Sequence, residues 1–469
     1  MLVARTVNRW MLAVGAAGAL AGCAIKGPPP AADIQREALA HTAVPPDWKT
    51  KVGLAQPIAD RWLDSFNDPV LIALVNEALA YNADIKVAAA RVEQAAGYVK
   101  VASATLFPAV GVIAHAGGKS GGDGGLQGIF LNASLELDVW GRVRYGQAAA
   151  EYQFASVDAD YAYARQSLAA VVAKSYFLAI EAGSQRAIAR DVLGSSDELL
   201  RLSQERLRIG VGDEQAVAEA RANGGTYRDA LRQIEYSREQ ALRALELLLG
   251  RYPAAEVAVA QQLATMPAPP PVGLPSELLE RRPDVIAAER RVAAAFDRVE
   301  EAKAALLPRI SLTAGGSNVS SDLFVLKDHS NPMWSLGANL IAPLYQGGAL
   351  RAQVEIRTAE QKLAVADYAR IAQRAFSEVE SALSAEAALR DRAAILSDNI
   401  NDNQRALDLA QIQFKVGKID LRVVQQRQLA LYGARTTRLQ VQSEQLVQRV
   451  NLYLALGGSF ETADNAAMR

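Results

Sequence analysis

The side chains able to carry acid–base, nucleophilic or metal chemistry are few, and they do not converge. The three histidines are His41, His115 and His329. They fall in an N-terminal tether, a predicted strand and a predicted strand loop, where imidazoles face solvent far more often than they catalyse. Gly118-Lys119-Ser120 invites a phosphate-loop reading. Ile113, however, stands where that motif requires glycine, and no strand runs into a helix there. Cys23 is the only cysteine, so neither an intramolecular disulfide nor a multi-cysteine metal site is available. Acidic residues on the helices are explained as solvated faces or intersubunit pairs. A formal net charge of -1 supplies no basic face for nucleic acid. An enzyme needs a converging set of groups, and none is found. No catalytic residue, cofactor or metal is expected.

The chemistry that remains is lipid attachment. Arg5 and Arg9 precede an apolar stretch from Trp10 to Leu20, too short to span a bilayer. It leads into Leu20-Ala21-Gly22-Cys23, which resembles the bacterial lipobox, whose cysteine is acylated and becomes the mature N-terminus. Ala24 follows where an aspartate commonly retains lipoproteins at the inner membrane, so alanine favours the outer one. Residues 1–22 are read as a signal peptide and 23–54 as an acylated tether. Gly27 to Ala32, with three prolines in a row, is expected to be flexible.

Downstream, the chain repeats itself. Asp84 and Phe107-Pro108 recur as Asp284 and Leu307-Pro308, displaced by 200. Gly210, Asp213 and Leu249-Gly250 recur as Gly417, Asp420 and Leu456-Gly457, displaced by 207. The copies are placed at 55–250 and 276–457, with a proline-rich connector at 251–275 and a tail at 458–469. Each copy reads as helix, two strands, a very long helix, a tight turn and a returning helix. Interleaved copies in one body fit these matched elements better than separate domains.

The second long helix runs from Gly348 to about Val416, a rod of roughly 100 Å at 1.5 Å per residue. Its heptad seam includes Tyr368, Ala372, Ala375, Val379, Leu389, Leu407 and Phe414, and only Glu386 and Asn403 break it. In the first copy Arg165, Ser175 and Arg186 intrude on the same seam. Abundant alanine implies close helix approach.

Strands are expected near 107–117, 129–139, 308–316 and 333–343. Ile129, Leu131, Ala133, Leu135, Leu137 and Val139 alternate with Phe130, Asn132, Ser134, Glu136 and Asp138. Phe107, Trp140 and Tyr345 mark one end of the strands, and Phe130 and Trp334 the other, as in an aromatic girdle. A half-buried sheet of a soluble domain would show the same alternation. No apolar run after Cys23 is long enough for a membrane helix, so a crossing must be a closed barrel. About four strands per chain cannot close one. Two chains give about eight strands, whose interior side chains fill; three give about twelve, with a lumen. A conduit therefore requires a trimer.

Several segments resemble the TolC-like outer-membrane efflux factors, in particular their NodT-type lipoprotein branch. They are Leu279-Glu280-Arg281-Arg282-Pro283-Asp284-Val285-Ile286-Ala287-Ala288-Glu289 running into Leu307-Pro308-Arg309-Ile310; Asp138-Val139-Trp140-Gly141-Arg142; Trp62, Phe66 and Asp68-Pro69; and Asn451-Leu452-Tyr453-Leu454-Ala455-Leu456-Gly457-Gly458. They cover about 48 to 458. The resemblance implies a mainly α protein with a membrane β-barrel, a homotrimer of twelve strands and a twelve-helix periplasmic α-barrel. It also implies docking to a periplasmic membrane-fusion adaptor and an inner-membrane RND-type transporter, with no nucleic acid involved. Type I protein secretion shares this architecture and is the alternative reading. A purely structural coiled-coil lipoprotein is a second, though it would have no reason to carry alternating strands.

By the same resemblance, the turns at Gly210–Asp213 and Gly417–Asp420 form the periplasmic tip, where related channels carry an acidic ring just after the turn. The second copy has Gln425-Gln426 there, a departure from the pattern. The first copy has Glu219, which makes Glu219 the candidate gate residue, with Asp213 either assisting it or merely capping a helix.

Overall fold

The computed structural model describes residues 26–50, 60–115, 127–320 and 332–459. Helix α1 (Ala31–Ala38) and a single 3₁₀ turn (Trp62–Phe66) precede α2 (Pro69–Tyr81) and α3 (Ala83–Ala104). Strands β1 (Ala109–His115) and β2 (Gln127–Leu137) lead into α4 (Arg142–Arg208) and α5 (Glu214–Leu248). A short α6 (Leu278–Arg281) opens the second series: α7 (Pro283–Ala304), β3 (Arg309–Ser320), β4 (Pro332–Ile341), α8 (Ala349–Lys415) and α9 (Leu421–Ala455). The duplication is metrically tight. Both α3 and α7 have 22 residues, both α4 and α8 have 67, and both α5 and α9 have 35.

Local sequence explains the boundaries. Asp68 accepts from the amides of Val70 and Leu71, and Pro69 takes the first helical position, where its missing N–H costs nothing. Leu71, Leu74, Val75 and Ala78 then form the buried stripe of α2. Asn82 ends that helix and starts the next: its side-chain oxygen accepts from the amides of Asp84 and Ile85. Its NH2 donates to the Leu248 carbonyl at 2.9 Å. Strand β2 stops at Leu137, short of the expected Val139. Asp138 turns its carboxylate to the amides of Val143 and Arg144, at 3.0 and 2.9 Å, and so serves the start of α4 rather than the sheet.

The chain divides into two compact units, and neither coincides with one repeat. One comprises 1–43, 90–160 and 284–371; the other comprises 44–89, 161–283 and 372–469. Each draws on both copies.

The first unit carries the four-stranded sheet, antiparallel throughout in the order β1-β2-β3-β4. Its register decides which residues share a face. Val112 pairs with Leu131, Leu135 with Leu312, Ile310 with Leu340, and Ala314 with both Ala133 and Leu336. Directly opposed residues point the same way, so every apolar series falls on one side of the sheet. Asn132, Ser134, Glu136, Ser311, Thr313, Ser335 and Asn339 line the other. Phe130 lies on that polar side, between Ile113 and Ser317, so it belongs to no girdle on the apolar face. Trp334, 79% exposed, does lie on the apolar face, opposite Gly316.

The expected flexible tether is packed over the residues described. The amide of Lys26 donates to the Tyr145 hydroxyl at 3.0 Å, its ammonium sits over Phe296, and Ile34 of α1 is buried. Lys26 on one side of the prolines and Ile34 on the other supply this anchorage, which a composition-based reading of flexibility leaves out.

The second unit has its largest core around Trp62, Phe66, Phe177 and Tyr453, with the Trp62 and Tyr453 rings stacked at 5.4 Å. Trp48 is also buried here, its indole N–H directed at the carbonyls of Val272 and Gly273. Further along, Leu389, Ala393 and Val441 pack together, and Leu407, Ala410 and Phe414 pack with Leu421, Val424 and Leu431. These are the heptad seam of α8 meeting α9. The seam's break at Glu386 is filled by Arg449 of α9, which pairs with it in a buried site.

Candidate functional site: the apolar sheet face, its junctions and the helix turns

Three groups of residues matter, and each is positioned by the elements above. The first is the sheet. Leu336 and Leu340 are 87% and 69% exposed on its apolar face, and Val110, Val112, Ile129 and Leu131 are exposed beside them. A contiguous apolar face of this size on a water-exposed sheet would aggregate. Strands β1 and β4 each have a neighbour on one side only, so among the described residues both sheet edges lack a partner. Among the described residues no helix is long and apolar enough to cross a membrane, which says nothing about strands.

The second group is the sheet's junction with the long helix, built by Asp138 to Arg142. Arg142 makes a two-pronged pair with Glu136 of β2 at 2.9 and 2.7 Å, and this contact is the largest factor holding its guanidinium charged. The Trp140 indole donates to the Pro308 carbonyl at 2.8 Å, joining the junctions of the two copies. The Arg281-Arg282 signature is likewise architectural. Arg282 is fully buried, donates to Glu378 at 2.6 Å and to the Ala455 carbonyl at 3.2 Å, and so fastens α6 to the end of α9.

The third group is the pair of turns. Gly210 and Gly417 have φ of +77° and +76°, the left-handed conformation that closes a helix. The amides of Val211 and Lys418 donate back to the carbonyls of Arg206 and Gln413, and the same bond pattern recurs at both turns. Asp213 caps α5 through the Ala216 amide at 2.7 Å, and Asp420 caps α9 through the Arg422 amide at 3.3 Å. The two turns lie side by side: the Arg206 guanidinium covers the Phe414 ring at 5.0 Å. Glu219 accepts from the Gln215 side-chain amide at 2.9 Å, and its other carboxylate oxygen is 4.0 Å from Arg422 Nε. Arg422 also binds Asp420 at 3.0 Å, which holds the Asp420 carboxyl below its ordinary range.

Glu219, Asp213 and Asp420 are therefore brought to one place around Arg422, which the sequence reading missed. Its signal was the repeat itself: Arg422 occupies the position of Gln215, one of the few places in the turns where a charge replaces an amide. Cys23 and His329 lie outside the described residues. Among those described, no cluster of His, Cys, Asp and Glu could hold a metal ion.

A family model described as outer membrane efflux protein matches residues 74–251 and again 274–458. The pyoverdine export outer membrane protein OpmQ of Pseudomonas aeruginosa is 31% identical over 446 residues, covering 90% of this chain and 92% of its own. The cation efflux system protein CusC of Escherichia coli K12 is 29% identical over 457 residues, covering 94% and 97%. The open state of the Neisseria gonorrhoeae MtrE outer membrane channel superposes with a TM-score of 0.79 at 26% identity, over 94% of this chain and 99% of that one. An unpartnered apolar sheet, paired long helices and a twice-matched family pattern lead to one conclusion: the chain belongs to the outer membrane efflux protein family and is an outer-membrane efflux channel.

Proposed function

We propose that three copies of this chain close a twelve-stranded barrel in the outer membrane, anchored in addition by acyl chains on Cys23. The observation that carries the trimer is the sheet, with an apolar face and two unpartnered edges. In lipid each unpaired backbone group costs several kcal/mol, so edge must meet edge in a closed ring. The helix turns face the periplasm, where an adaptor couples the duct to an inner-membrane, proton-driven transporter of the RND class. The duct itself is passive and not an enzyme. Small molecules pass through it, selected by the partner pump. Two relatives of similar identity carry names for pyoverdine export and for cation efflux, as expected where cargo choice lies outside the duct.

Glu219 and the capping carboxylates of Asp213 and Asp420 stand at the tip among the cations Arg206, Arg208, Lys415, Lys418 and Arg422, so any cation preference rests on which carboxylates face the axis. Repeated three times about that axis, those that face it attract cations to the constriction. Native mass spectrometry of the detergent-purified protein is expected to give a trimer. A stable monomer, soluble without detergent, would overturn the barrel.

A further inference from the structure

We propose that a cavity of the second unit, between α4, α5 and the connector at 255–262, binds a small oxyanion (a phosphate or carboxylate) between Arg186 and Arg238. The cavity measures about 770 Å³, and Ser184, Gln261 and Gln262 line it beside the two arginines. Arg186 belongs to α4 and Arg238 to α5, and both are half-buried. Neither forms an ion pair among the described residues. The Nε of Arg238 is buried without a hydrogen-bond acceptor. Glu256 also lines the cavity, but its carboxylate pairs with neither arginine. Burial, and then the charge of Arg186, push the Arg238 guanidinium below its ordinary range. Two like charges sharing a partly dry cavity, with a donor left over, repel each other until an anion is inserted. The planar donor fork of arginine suits carboxylate and phosphate oxygens, which accept from two N–H groups at once.

The repeat sharpens the argument. The positions 207 further on are Ala393, buried in the seam, and Gln445, whose side-chain amide donates to the Leu389 carbonyl at 3.4 Å. The same helix pair in the second copy thus packs without either arginine, so neither is required by the architecture. Their presence in the first copy alone is the intrusion at Arg186 that the heptad pattern leaves unexplained.

The second copy also supplies the test, since Arg186→Ala and Arg238→Gln install residues that this helix pair already accommodates. Thermal midpoints of the purified full-length protein are measured while inorganic phosphate or succinate is titrated at ionic strength held constant with sodium chloride. Wild type is expected to show a saturable rise with at least one oxyanion, and whichever acts tells phosphate from carboxylate recognition. In each variant the apparent affinity is expected to fall at least tenfold. Without oxyanion, Arg186→Ala is expected to melt no lower than wild type, because a repulsion has been removed. A wild-type response no larger than that to chloride alone overturns the proposal. So does an unchanged response in the variants. A lower melting point for Arg186→Ala without oxyanion would show that Arg186 already has a favourable protein partner, and would overturn it equally.

Discussion

Replacing Arg449 with methionine isolates the one heptad break that the fold turns into a buried charge pair. The Arg449 guanidinium donates to Glu386 and to the carbonyls of Pro267 and Ala268, the latter two at 2.8 and 2.5 Å. Arg449 is 1% exposed and Glu386 6%. In Arg449→Met the Glu386 carboxylate stays buried with no donor, and two connector carbonyls lose theirs. Breaking a buried pair from one side costs about 3–5 kcal/mol. Unfolding entropy of about 2.1 cal/mol/K per residue, over 469 residues, amounts to about 1 kcal/mol/K. The midpoint should therefore fall by about 3–5 °C, and trimerisation leaves that ratio unchanged because both quantities scale with chain number. Glu386→Leu should cost less, because Arg449 keeps its two carbonyls. The double variant Glu386→Leu/Arg449→Met should recover most of the loss. Glu386 Oε2 and Arg449 Nε already lack partners in the native pair, so the pair is incompletely satisfied and an apolar replacement gives up little. Scanning fluorimetry in detergent reads the midpoints, and hydrogen exchange over 267–275 reads the connector. A double variant no better than the worse single one, or a connector unaffected by Arg449→Met, would refute the reasoning.

Five further outcomes are expected. Gly417→Ala should cost about 1 kcal/mol for its left-handed backbone alone, since nothing lies near the added methyl. Gly250→Ala should lower the melting point visibly more, because its Cβ would meet the Tyr81 carbonyl oxygen at 2.9 Å. Asp297 is buried, leaves Oδ2 without a partner, and is pushed up to about 6 by that burial. Below about pH 4 both folded and unfolded states carry its proton. Between about pH 4 and 6 the unfolded chain ionises first, and above 6 the penalty is complete, so Asp297→Asn should raise the midpoint by up to about 3 °C at pH 8 and leave it unchanged at pH 3.5. In planar bilayers Glu219→Gln should reduce cation selectivity and divalent block, whereas Arg422→Gln should increase both; no change in either variant would place the constriction elsewhere. Intact mass of the mature protein should show acyl chains on Cys23 and their loss in Cys23→Ser.

Much of the channel was legible in the residue order because it depends on periods. The 207-residue displacement survives as helices of identical length, and alternation in β2 and β4 located strands within two residues at each end. The helix stops at Gly210 and Gly417 and the caps at Asp213 and Asp420 were equally readable, since a left-handed glycine and a capping carboxylate act through bonds only a few residues apart. Phe130 is no girdle residue although it stands near a strand end: alternation sets it on the side of Asn132, Ser134 and Glu136, and the register keeps it there.

What the sequence determined by itself was therefore everything local or repeated: the element order, the two copies, the seam of α8 and an acidic residue beyond the first turn. Pairing at long range emerges only from the folded chain. Glu386 looked like a flaw in a heptad until Arg449, 63 positions away, was found opposite it. Arg422 looked unremarkable until it stood among Asp213, Asp420 and Glu219. The division into two units mixes both copies, and the tether is held by Lys26 and Ile34. The physical reason is common to all of these. A hydrogen bond or helix period is set by neighbours along the chain, whereas a buried charge is tolerated only if a distant partner arrives to meet it, and no local pattern announces that arrival.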